Sequence, residues 1–352
     1  MTLPPAAEPA RNGCPNPPRP VIGSLQAGRA IAALAVVGHH AGTATISYAG
    51  ALPIMVETIL ARAYLGVDFF FVLSGFIMTH VNAGKTPNAE WRGQYVKSRL
   101  TRIYVPYLPI GIALALAYTF LPAFSNSGRL WGWYETLTLL PGTVDPALLV
   151  AWTLQHEIIF YLLFLLFIST GRPLFAAGLW AVAIISYNLL IGTPSRPLQP
   201  FLATINLEFL FGMLAAWFVR DGRGSAFAFI AAASCVLAIF VAGGGLPEQR
   251  IVFGLATALV LIPIVRWERL AKFTVPRAAI FLGGASYAIY LVHNPLIALL
   301  ARMAPDRPAI ALLWFAAAST AAGIAYHLLV ELPGLRWTKR TLSGKPTRAS
   351  QS

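Results

Sequence analysis

Polar side chains able to do acid–base chemistry interrupt the long apolar segments of this sequence. Arg29 and His40 lie 11 positions apart in one such segment. At about 100° per residue they fall within about 20° of the same helix face, and at about 1.5 Å per residue they stand roughly 16 Å apart. His39 is turned about 80° from that face. A snorkelling arginine and a histidine at the helix end explain the same spacing without chemistry.

A carboxylate lies inside another apolar segment, where Glu157 is predicted about two turns from the outer helix end. In hydrocarbon a carboxylate must be neutral, paired or hydrated, so a partner is expected. His40 is predicted at a similar depth. A pairing of the two side chains would form an acid–base dyad. A purely structural role for Glu157 is the alternative.

The remaining polar groups inside the apolar segments have structural explanations as well. Asp68 is predicted at the start of a helix, where the helix N-terminus stabilises a carboxylate. Ser74 and Gly75 are small enough to favour close helix packing. Each of these patterns is therefore explained by capping or packing as well as by contact with a substrate.

Near the carboxyl end, Tyr287, Tyr290 and His293 are spaced three apart and share one drifting helix face. This face is either a hydrogen-bonded core stripe or part of a site. Glu331 ends the last apolar segment, and a salt bridge to a basic loop is expected for it.

Basic and aromatic residues gather near the predicted membrane surfaces. Arg99 and Arg102 are three apart and share a helix face at the inner surface. Lipid headgroups explain such a pair, and so does a phosphate-rich soluble ligand, because guanidinium groups match phosphate oxygens. On the outer side, Trp131, Trp133 and Tyr134 form either an interfacial belt or a surface that stacks on a sugar.

The composition identifies the elements that must position these groups. Of 352 residues, 57% are hydrophobic and 11% are charged, with a mean hydropathy of +0.67. This composition excludes a disordered chain, a coiled coil and an ordinary soluble enzyme. A net charge of +13 would suggest nucleic-acid binding in a soluble protein, but here the positions of the charges matter more than their sum. The sequence predicts an all-α polytopic membrane protein with about ten transmembrane helices in one bundle. The predicted spans are 22–41, 62–81, 102–122, 150–169, 174–192, 200–219, 226–243, 250–265, 278–300 and 308–330.

Charge placement predicts the orientation of the bundle. With a cytoplasmic N-terminus, 20 of the 26 basic residues lie inside and 6 lie outside. Both termini are therefore predicted to be cytoplasmic. The chain divides into a disordered cytoplasmic tail (1–20), a membrane-embedded domain (21–333) and a basic cytoplasmic tail (334–352). Cys14 and Cys235 do not form a disulfide framework, and no Cys/His metal spacing, phosphate-binding Gly-Lys loop or GxSxG elbow is present.

Seven motifs, in order, together resemble the acyltransferase family 3 of integral-membrane acyltransferases. They are LQAGRAIAALAVVGHH (25–40), GVDFFFVLSGFIM (66–78), Arg99 with Arg102, WTLQHEIIFY (152–161), LEFLFGM (207–213), SYAIYLVH (286–293) and the exit from Glu331 to Pro333. The family often has Asp-Gly-Leu before the arginine, where this chain has Gln26, Ala27 and Gly28. That opening is similar to the branch that acetylates bacterial exopolysaccharides.

The resemblance implies a multi-pass enzyme of the bacterial inner membrane. It would move an acyl group, usually acetyl, from cytoplasmic acyl-CoA to a hydroxyl of a cell-envelope or exopolysaccharide glycan. Arg29, Arg99 and Arg102 would contact the phosphates or pantetheine of the acyl-CoA. His40 would be the general base or a transient acyl carrier, and Glu157 would orient His40 or accept its proton. Asp68, Trp152, Tyr161, Tyr287 and His293 are expected in substrate binding or structure.

Neither a metal nor a permanently bound cofactor is expected. The implied partners are acyl-CoA, a glycan or lipid-linked oligosaccharide acceptor, membrane lipids and other proteins of polysaccharide biosynthesis. Two other functions are alternatives. A transporter or flippase for a lipid-linked glycan would use the same polar interior as a path, without chemistry. The other is a non-catalytic membrane subunit of a polysaccharide-export assembly.

Overall fold

The computed structural model of the chain describes residues 22–82, 84–122, 125, 129–221, 231, 247–270 and 273–342. Within these residues the chain is helical, and its β-structure is a single isolated bridge between Trp131 and Asp145. The helices bounded within the described residues are α1 (Gly23–Tyr48), α2 (Ile54–Arg62), α3 (Gly66–Asn82), α4 (Ala89–Phe120), α5 (Trp133–Thr138), α6 (Trp152–Ser169), α7 (Pro173–Leu190), α8 (Gln199–Leu202), α9 (Leu207–Asp221), α10 (Pro247–Arg269), α11 (Arg277–Leu300), α12 (Pro308–Tyr326) and α13 (Leu332–Leu342).

Eight segments in the described part of the chain are long and apolar enough to cross a membrane. This confirms the predicted all-α multi-pass class, whereas the predicted count of ten is not confirmed. The predicted span 200–219 corresponds to α8 and α9, and it is not among these eight segments. The predicted span 226–243 lies outside the described residues, apart from position 231.

Helix α4 is longer than the sequence predicted, because it begins at Ala89 and not near residue 102. Asn88 caps it, since its side chain accepts a 2.8 Å hydrogen bond from the backbone N–H of Trp91. Its 32 residues extend about 48 Å, which exceeds the hydrocarbon thickness. The basic residues near its N-terminus therefore stand on a helix that continues beyond the apolar layer.

Helices α3 and α9 pack backbone against backbone. A Cβ atom added at Gly75 would lie 1.9 Å from the carbonyl oxygen of Phe209, and one added at Gly212 would lie 1.9 Å from that of Val72. Only glycine permits this approach, so the packing role expected for Gly75 is confirmed. Beside this contact the ring of Phe209 stacks on that of Phe160, with centroids 4.1 Å apart. Helix α6 is thereby fixed against α9.

The chain leaves the bundle through a π-helical turn, residues His327–Glu331, which joins α12 to α13. The predicted end of the membrane domain at 333 therefore falls within helical structure. The predicted basic tail begins inside α13, which ends at Leu342. The predicted tail 1–20 lies outside the described residues.

Candidate active site

A cavity of about 100 Å³ lies among α1, α3, α4, α6 and α11. We call it the arginine cavity, after Arg29, Arg99 and Arg102 in its lining. Ten polar residues line it: Arg29, Ser74, Arg99, Arg102, Thr153, Glu157, Tyr161, Ser286, Tyr287 and Tyr290. Apolar side chains, among them Phe70 and Phe71, complete the wall. Six residues that the sequence proposed for the site thus share one space: Arg29, Arg99, Arg102, Glu157, Tyr161 and Tyr287.

Arg29 is held by the close contact between α1 and α11. A Cβ atom at Gly283 would lie 2.1 Å from the carbonyl oxygen of Gln26, so the two backbones meet one turn from the arginine. The Nε of Arg29 donates to the Gly283 carbonyl at 3.2 Å and to the Ser286 hydroxyl at 3.1 Å. Since these bonds use Nε, the two terminal nitrogens of the guanidinium remain available for a ligand in the cavity.

Arg99 and Arg102 reach the cavity from α4, as their predicted shared face requires. The guanidinium of Arg99 lies over the ring of Tyr161 at 5.7 Å and over that of Tyr95 at 6.0 Å. Such stacking holds an arginine in place while keeping its charge. The Nε of Arg99 is buried without a hydrogen-bond partner.

Glu157 faces the same cavity and is half-buried. Its Oε1 accepts a hydrogen bond from the Tyr161 hydroxyl, one helical turn away, and a 3.3 Å hydrogen bond from the Ser74 hydroxyl. Ser74 therefore contacts the site, whereas the sequence favoured a packing role for it. The signal for this contact was the helix phase of Ser74, because Val67, Phe70 and Phe71 of the same helix also line the cavity.

Two tyrosines of α11 form one side of the cavity. The hydroxyl of Tyr287 donates to the Ile103 carbonyl at 3.1 Å. The hydroxyl of Tyr290 lies 2.9 Å from the Thr153 hydroxyl and donates to the Val150 carbonyl at 3.1 Å. The predicted face is therefore a hydrogen-bonded stripe and part of the cavity at the same time.

The two adjacent histidines of α1 face different neighbours. The Nδ1 of His39 lies 2.9 Å from the Leu60 carbonyl, and its ring centroid is 5.7 Å from that of Tyr64. The ring of His40 lies 5.1 Å from that of His293, which in turn lies 5.6 Å from that of Tyr290. His40 is thus joined to the cavity wall through His293 and Tyr290, although it does not itself line the cavity.

The predicted direct pairing of His40 with Glu157 does not occur in the structure. Glu157 bonds to Tyr161 and Ser74, while His40 lies against His39 and His293. Tyr290 is bonded to Thr153, which precedes Glu157 by one turn, and His293 lies a further turn along the antiparallel α11. At 1.5 Å per residue, His40 and Glu157 therefore differ in depth along the helices by about 10 Å. The sequence predicted a similar depth because the helix boundaries were uncertain.

A second polar group, the carboxylate cluster, consists of Asp68, Glu208 and Arg250. Asp68 is fully buried in the first turn of α3. It receives two hydrogen bonds from Arg250, 2.8 Å from Nε to Oδ1 and 3.0 Å from Nη2 to Oδ2. Glu208 is also fully buried, and neither of its carboxylate oxygens has a hydrogen-bond partner. The cluster ties α3, α9 and α10 together.

Trp152 belongs to the surroundings of this cluster and does not line the cavity. The guanidinium of Arg250 lies 6.0 Å from the ring of Trp152 and 5.6 Å from that of Tyr64. The sequence analysis did not identify Arg250 or Glu208 as functional. The available signal was Glu208 itself, a carboxylate inside an apolar helix, which requires a partner.

The expected salt bridge from Glu331 to a basic loop is replaced by a contact within its own helix. The Oε2 of Glu331 lies 2.7 Å from the Nδ1 of His327, and both side chains are nearly buried. The π-helical turn brings these two residues together at the i, i+4 spacing. Glu331 therefore stabilises the exit of the last span.

Ion pairs and hydrogen bonds hold the loop that carries Trp131. Arg196 donates to both carboxylate oxygens of Asp145, at 2.8 and 3.2 Å, and Arg129 donates to the carbonyls of Pro146 and Ala147. Burial lowers the pKa of the Arg129 guanidinium from its ordinary value, while the Asp145 carboxylate opposes that shift. The loop is thus a fixed surface next to Trp131.

The arginine cavity has the charge pattern of a site for an anionic ligand. Three guanidinium groups and one carboxylate line the cavity, and two of the arginines belong to the N-terminal half of α4. Phosphate is the anion that such a set of forks matches best. In the part of the chain that the structure describes, no three His, Cys, Asp or Glu side chains converge as metal ligands.

Comparison with known proteins agrees with this chemistry. The chain is 28% identical over 317 residues to the exopolysaccharide production protein ExoZ of Rhizobium meliloti (strain 1021), covering 81% of this chain and 94% of that protein. It is 35% identical over 91 residues to protein 2 in the picA locus of Rhizobium radiobacter, covering 26% of this chain and 41% of that protein. No solved structure matches the chain. A family model described as an acyltransferase domain matches residues 22–328, so the chain belongs to acyltransferase family 3.

Proposed function

We propose that this protein is an O-acetyltransferase of the bacterial inner membrane. It transfers acetyl from cytoplasmic acetyl-CoA to a hydroxyl of an exopolysaccharide or its lipid-linked precursor. The observation that carries this proposal is the convergence of Arg29, Arg99 and Arg102 with a single carboxylate, Glu157, on one cavity. The similarity to a protein named for exopolysaccharide production supports the acceptor class.

The donor assignment follows from charge and size. Coenzyme A carries several phosphate charges that cannot cross hydrocarbon, whereas an acetyl group is small and neutral. The basic N-terminal part of α4 supplies guanidinium groups at the cavity end where such phosphates would be held. The end of a pantetheine arm with its acetyl group would lie in this cavity.

The transfer needs one base and produces no net proton. The acceptor oxygen attacks the thioester carbonyl, so a C–O bond forms and the C–S bond breaks. The electron pair of that bond leaves on sulfur as thiolate. His40 takes the hydroxyl proton as the C–O bond forms and returns it to the sulfur, giving free coenzyme A. Glu157 acts deeper in the cavity, where it fixes Tyr161 and Ser74 around the donor.

The decisive experiment uses the purified full chain in lipid nanodiscs. Acetyl-CoA and de-esterified polysaccharide from the host are supplied, and thiol release and ester formation on the glycan are measured together. We expect both products in equal amounts. Glycan-dependent thiol release should be lost in Glu157→Gln at an unchanged folded fraction. A wild-type chain that consumes no acetyl-CoA would contradict the proposal and favour the transporter or the non-catalytic subunit.

The cytoplasmic side of the donor site is tested separately. Both termini are proposed to be cytoplasmic, because most Lys and Arg residues would then lie on the cytoplasmic side of the membrane. Lys345→Cys in a chain lacking Cys14 and Cys235 should react with an impermeant thiol reagent only after the cells are opened. Labelling of intact cells would contradict the orientation, and Arg196→Cys on the opposite side is the matched positive control.

A further inference from the structure

The tautomer of His293 follows from its hydrogen bonds. Its ring is fully buried, and its Nδ1 lies 2.6 Å from the Tyr290 carbonyl and 3.2 Å from the Ile289 carbonyl. Carbonyl oxygens only accept, so Nδ1 carries the proton. In the neutral ring Nε2 is then an acceptor with an unused lone pair.

That acceptor has no partner. The Nε2 of His293 is buried and makes no hydrogen bond. A buried acceptor without a donor is unfavourable, because it has lost its bond to water and gained nothing in exchange. Such a group next to Tyr290, which lines the candidate site, calls for a donor nearby.

The aromatic neighbours of His293 identify that donor. The ring of His40 is 5.1 Å away between centroids and tilted by 44°, and its side chain is half-buried. On the other side Tyr290 has its hydroxyl engaged by Thr153 and Val150, so it has no proton to offer. A ring nitrogen of His40 is the nearby N–H that can turn toward Nε2.

The two rings are carried on helices that cannot easily shift. α1 and α11 meet closely at Gly283, as described above, and α12 supports the other side of α11. A Cβ atom added at Gly323 would lie 2.5 Å from the Cα of Ile289, which is one turn from His293. Rigid support of this kind is what a group that orients another side chain needs.

We propose that His293 is a positioning residue whose Nε2 accepts a hydrogen bond from His40. This bond would fix the tautomer of His40, so that its second ring nitrogen presents a lone pair to the acceptor hydroxyl. The inference rests on the proposed function. When His40 takes the hydroxyl proton, its N–H toward His293 becomes part of a cation and the bond strengthens. His293 stays neutral, and the proton leaves from His40 to the thiolate.

Two substitutions separate the ring nitrogens of His293. In His293→Asn the side-chain amide replaces the Nδ1 donor and nothing reaches the position of Nε2. In His293→Gln the longer side chain places an amide oxygen near Nε2. We expect kcat to fall about 10²-fold in His293→Asn, at the low end of what a positioned base contributes. His293→Gln should stay within about tenfold of wild type, and acetyl-CoA affinity should be unchanged in both.

A double-variant cycle and a spectrum make the test independent of stability. In a His40→Ala background, His293→Asn should cost no further activity, because the residue it orients is gone. The chain has only six histidines. In ¹⁵N-histidine NMR, His293 should therefore be assignable and show a protonated Nδ1, and the His40 signals should move in His293→Asn. His39→Asn is the matched control and should leave the activity and the His293 signals in place.

The outcomes are distinct. Equal loss in the Asn and Gln variants, a full further loss in the His40→Ala background, or a protonated Nε2 at His293 would each overturn the inference. A wild-type chain without acetyl-CoA turnover would overturn the proposed function instead, whatever the NMR tautomer shows.

Discussion

The arginine cavity and the carboxylate cluster are two buried polar groups built from the same residue types in opposite proportions. The cavity sets three guanidinium groups against the carboxylate of Glu157, and it encloses about 100 Å³. The cluster sets Arg250 against two carboxylates, those of Asp68 and Glu208. The arginine cavity therefore has an excess of positive charge and room for a ligand. In the carboxylate cluster, Arg250 is paired with Asp68, while Glu208 is left without a hydrogen-bond partner.

This difference separates a binding role from a structural role. In the cluster, two nitrogens of Arg250 already bond to Asp68, and the ion pair joins helices far apart in sequence. In the cavity, the Nε of Arg29 is bonded to backbone and hydroxyl, which leaves its terminal nitrogens for a ligand. Two features therefore distinguish a ligand-binding arginine from a structural one inside a membrane protein. They are the number of opposite charges around it and which of its guanidinium nitrogens already have hydrogen-bond partners.

The largest effect is expected at His40, next to the wall of the cavity. Replacing the base, as in His40→Ala, should reduce acetyl transfer by about 10²–10⁴-fold, the usual contribution of a positioned base. His39→Ala should retain activity, because that ring faces Leu60 and Tyr64. Initial rates at matched folded protein in nanodiscs measure both. Near-normal rates for His40→Ala would remove the base from the mechanism.

The second effect concerns stability and belongs to the cluster. Asp68→Asn leaves Arg250 without its counter-ion, and breaking a buried ion pair from one side costs about 3–5 kcal/mol. We expect the low end of that range, because the Arg250 side chain is 27% exposed. The midpoint of thermal unfolding should fall by several degrees, while acetyl-CoA affinity of the folded fraction stays unchanged.

The matched control for Asp68→Asn is Asp145→Asn, which breaks a pair on the surface. The Asp145 side chain is 30% exposed and that of Arg196 is 51% exposed. Exposed pairs of this kind contribute about 0.2–1 kcal/mol. Equal destabilisation by the two substitutions would show that burial does not distinguish the cluster.

The third effect tests the anion site directly. Arg99→Ala combined with Arg102→Ala should weaken coenzyme A binding by about 10–100-fold, since charge-assisted hydrogen bonds contribute about 1.5–3 kcal/mol. The corresponding lysine pair should restore part of the loss, because lysine keeps the charge and lacks the planar fork. Isothermal titration with free coenzyme A measures the affinity. Arg92→Ala, exposed on the same helix, is the control, and an unchanged affinity in the double variant would return the pair to lipid contact.

Periodicity within single helices predicted much of the cavity. Arg29, Arg99, Arg102, Glu157 and Tyr287 were all identified from their helix phase or motif, and the structure brings them together. The face that an α-helical residue occupies is fixed by 3.6 residues per turn, so sequence spacing alone is informative there. The same helical repeat predicted that the adjacent residues His39 and His40 lie on different faces of α1.

Relations between helices were not predictable in this way. Asp68 and Arg250 are 182 residues apart, and nothing in either helix specifies the other as a partner. The depth of Glu157 relative to His40 depends on helix boundaries and tilt, which apolar runs define only within a few residues. The number of spans also depends on such boundaries, because the predicted span 200–219 is divided between α8 and α9 in the structure.

The smallest effect on stability is expected at Glu208, the member of the carboxylate cluster that has no hydrogen-bond partner. Glu208 is buried beside Asp68, its oxygens have no hydrogen-bond partner, and its Cγ fills the space left by Gly254, where an added Cβ would lie 2.7 Å away. Glu208→Gln keeps the shape and supplies an amide N–H that can donate to the neighbouring Asp68 carboxylate, so we expect a smaller destabilisation than in Asp68→Asn. Thermal unfolding against Asp68→Asn measures it. A loss as large as that of Asp68→Asn would mean that Glu208 is a second counter-ion of Arg250, and the cluster would then be a three-membered ionic network.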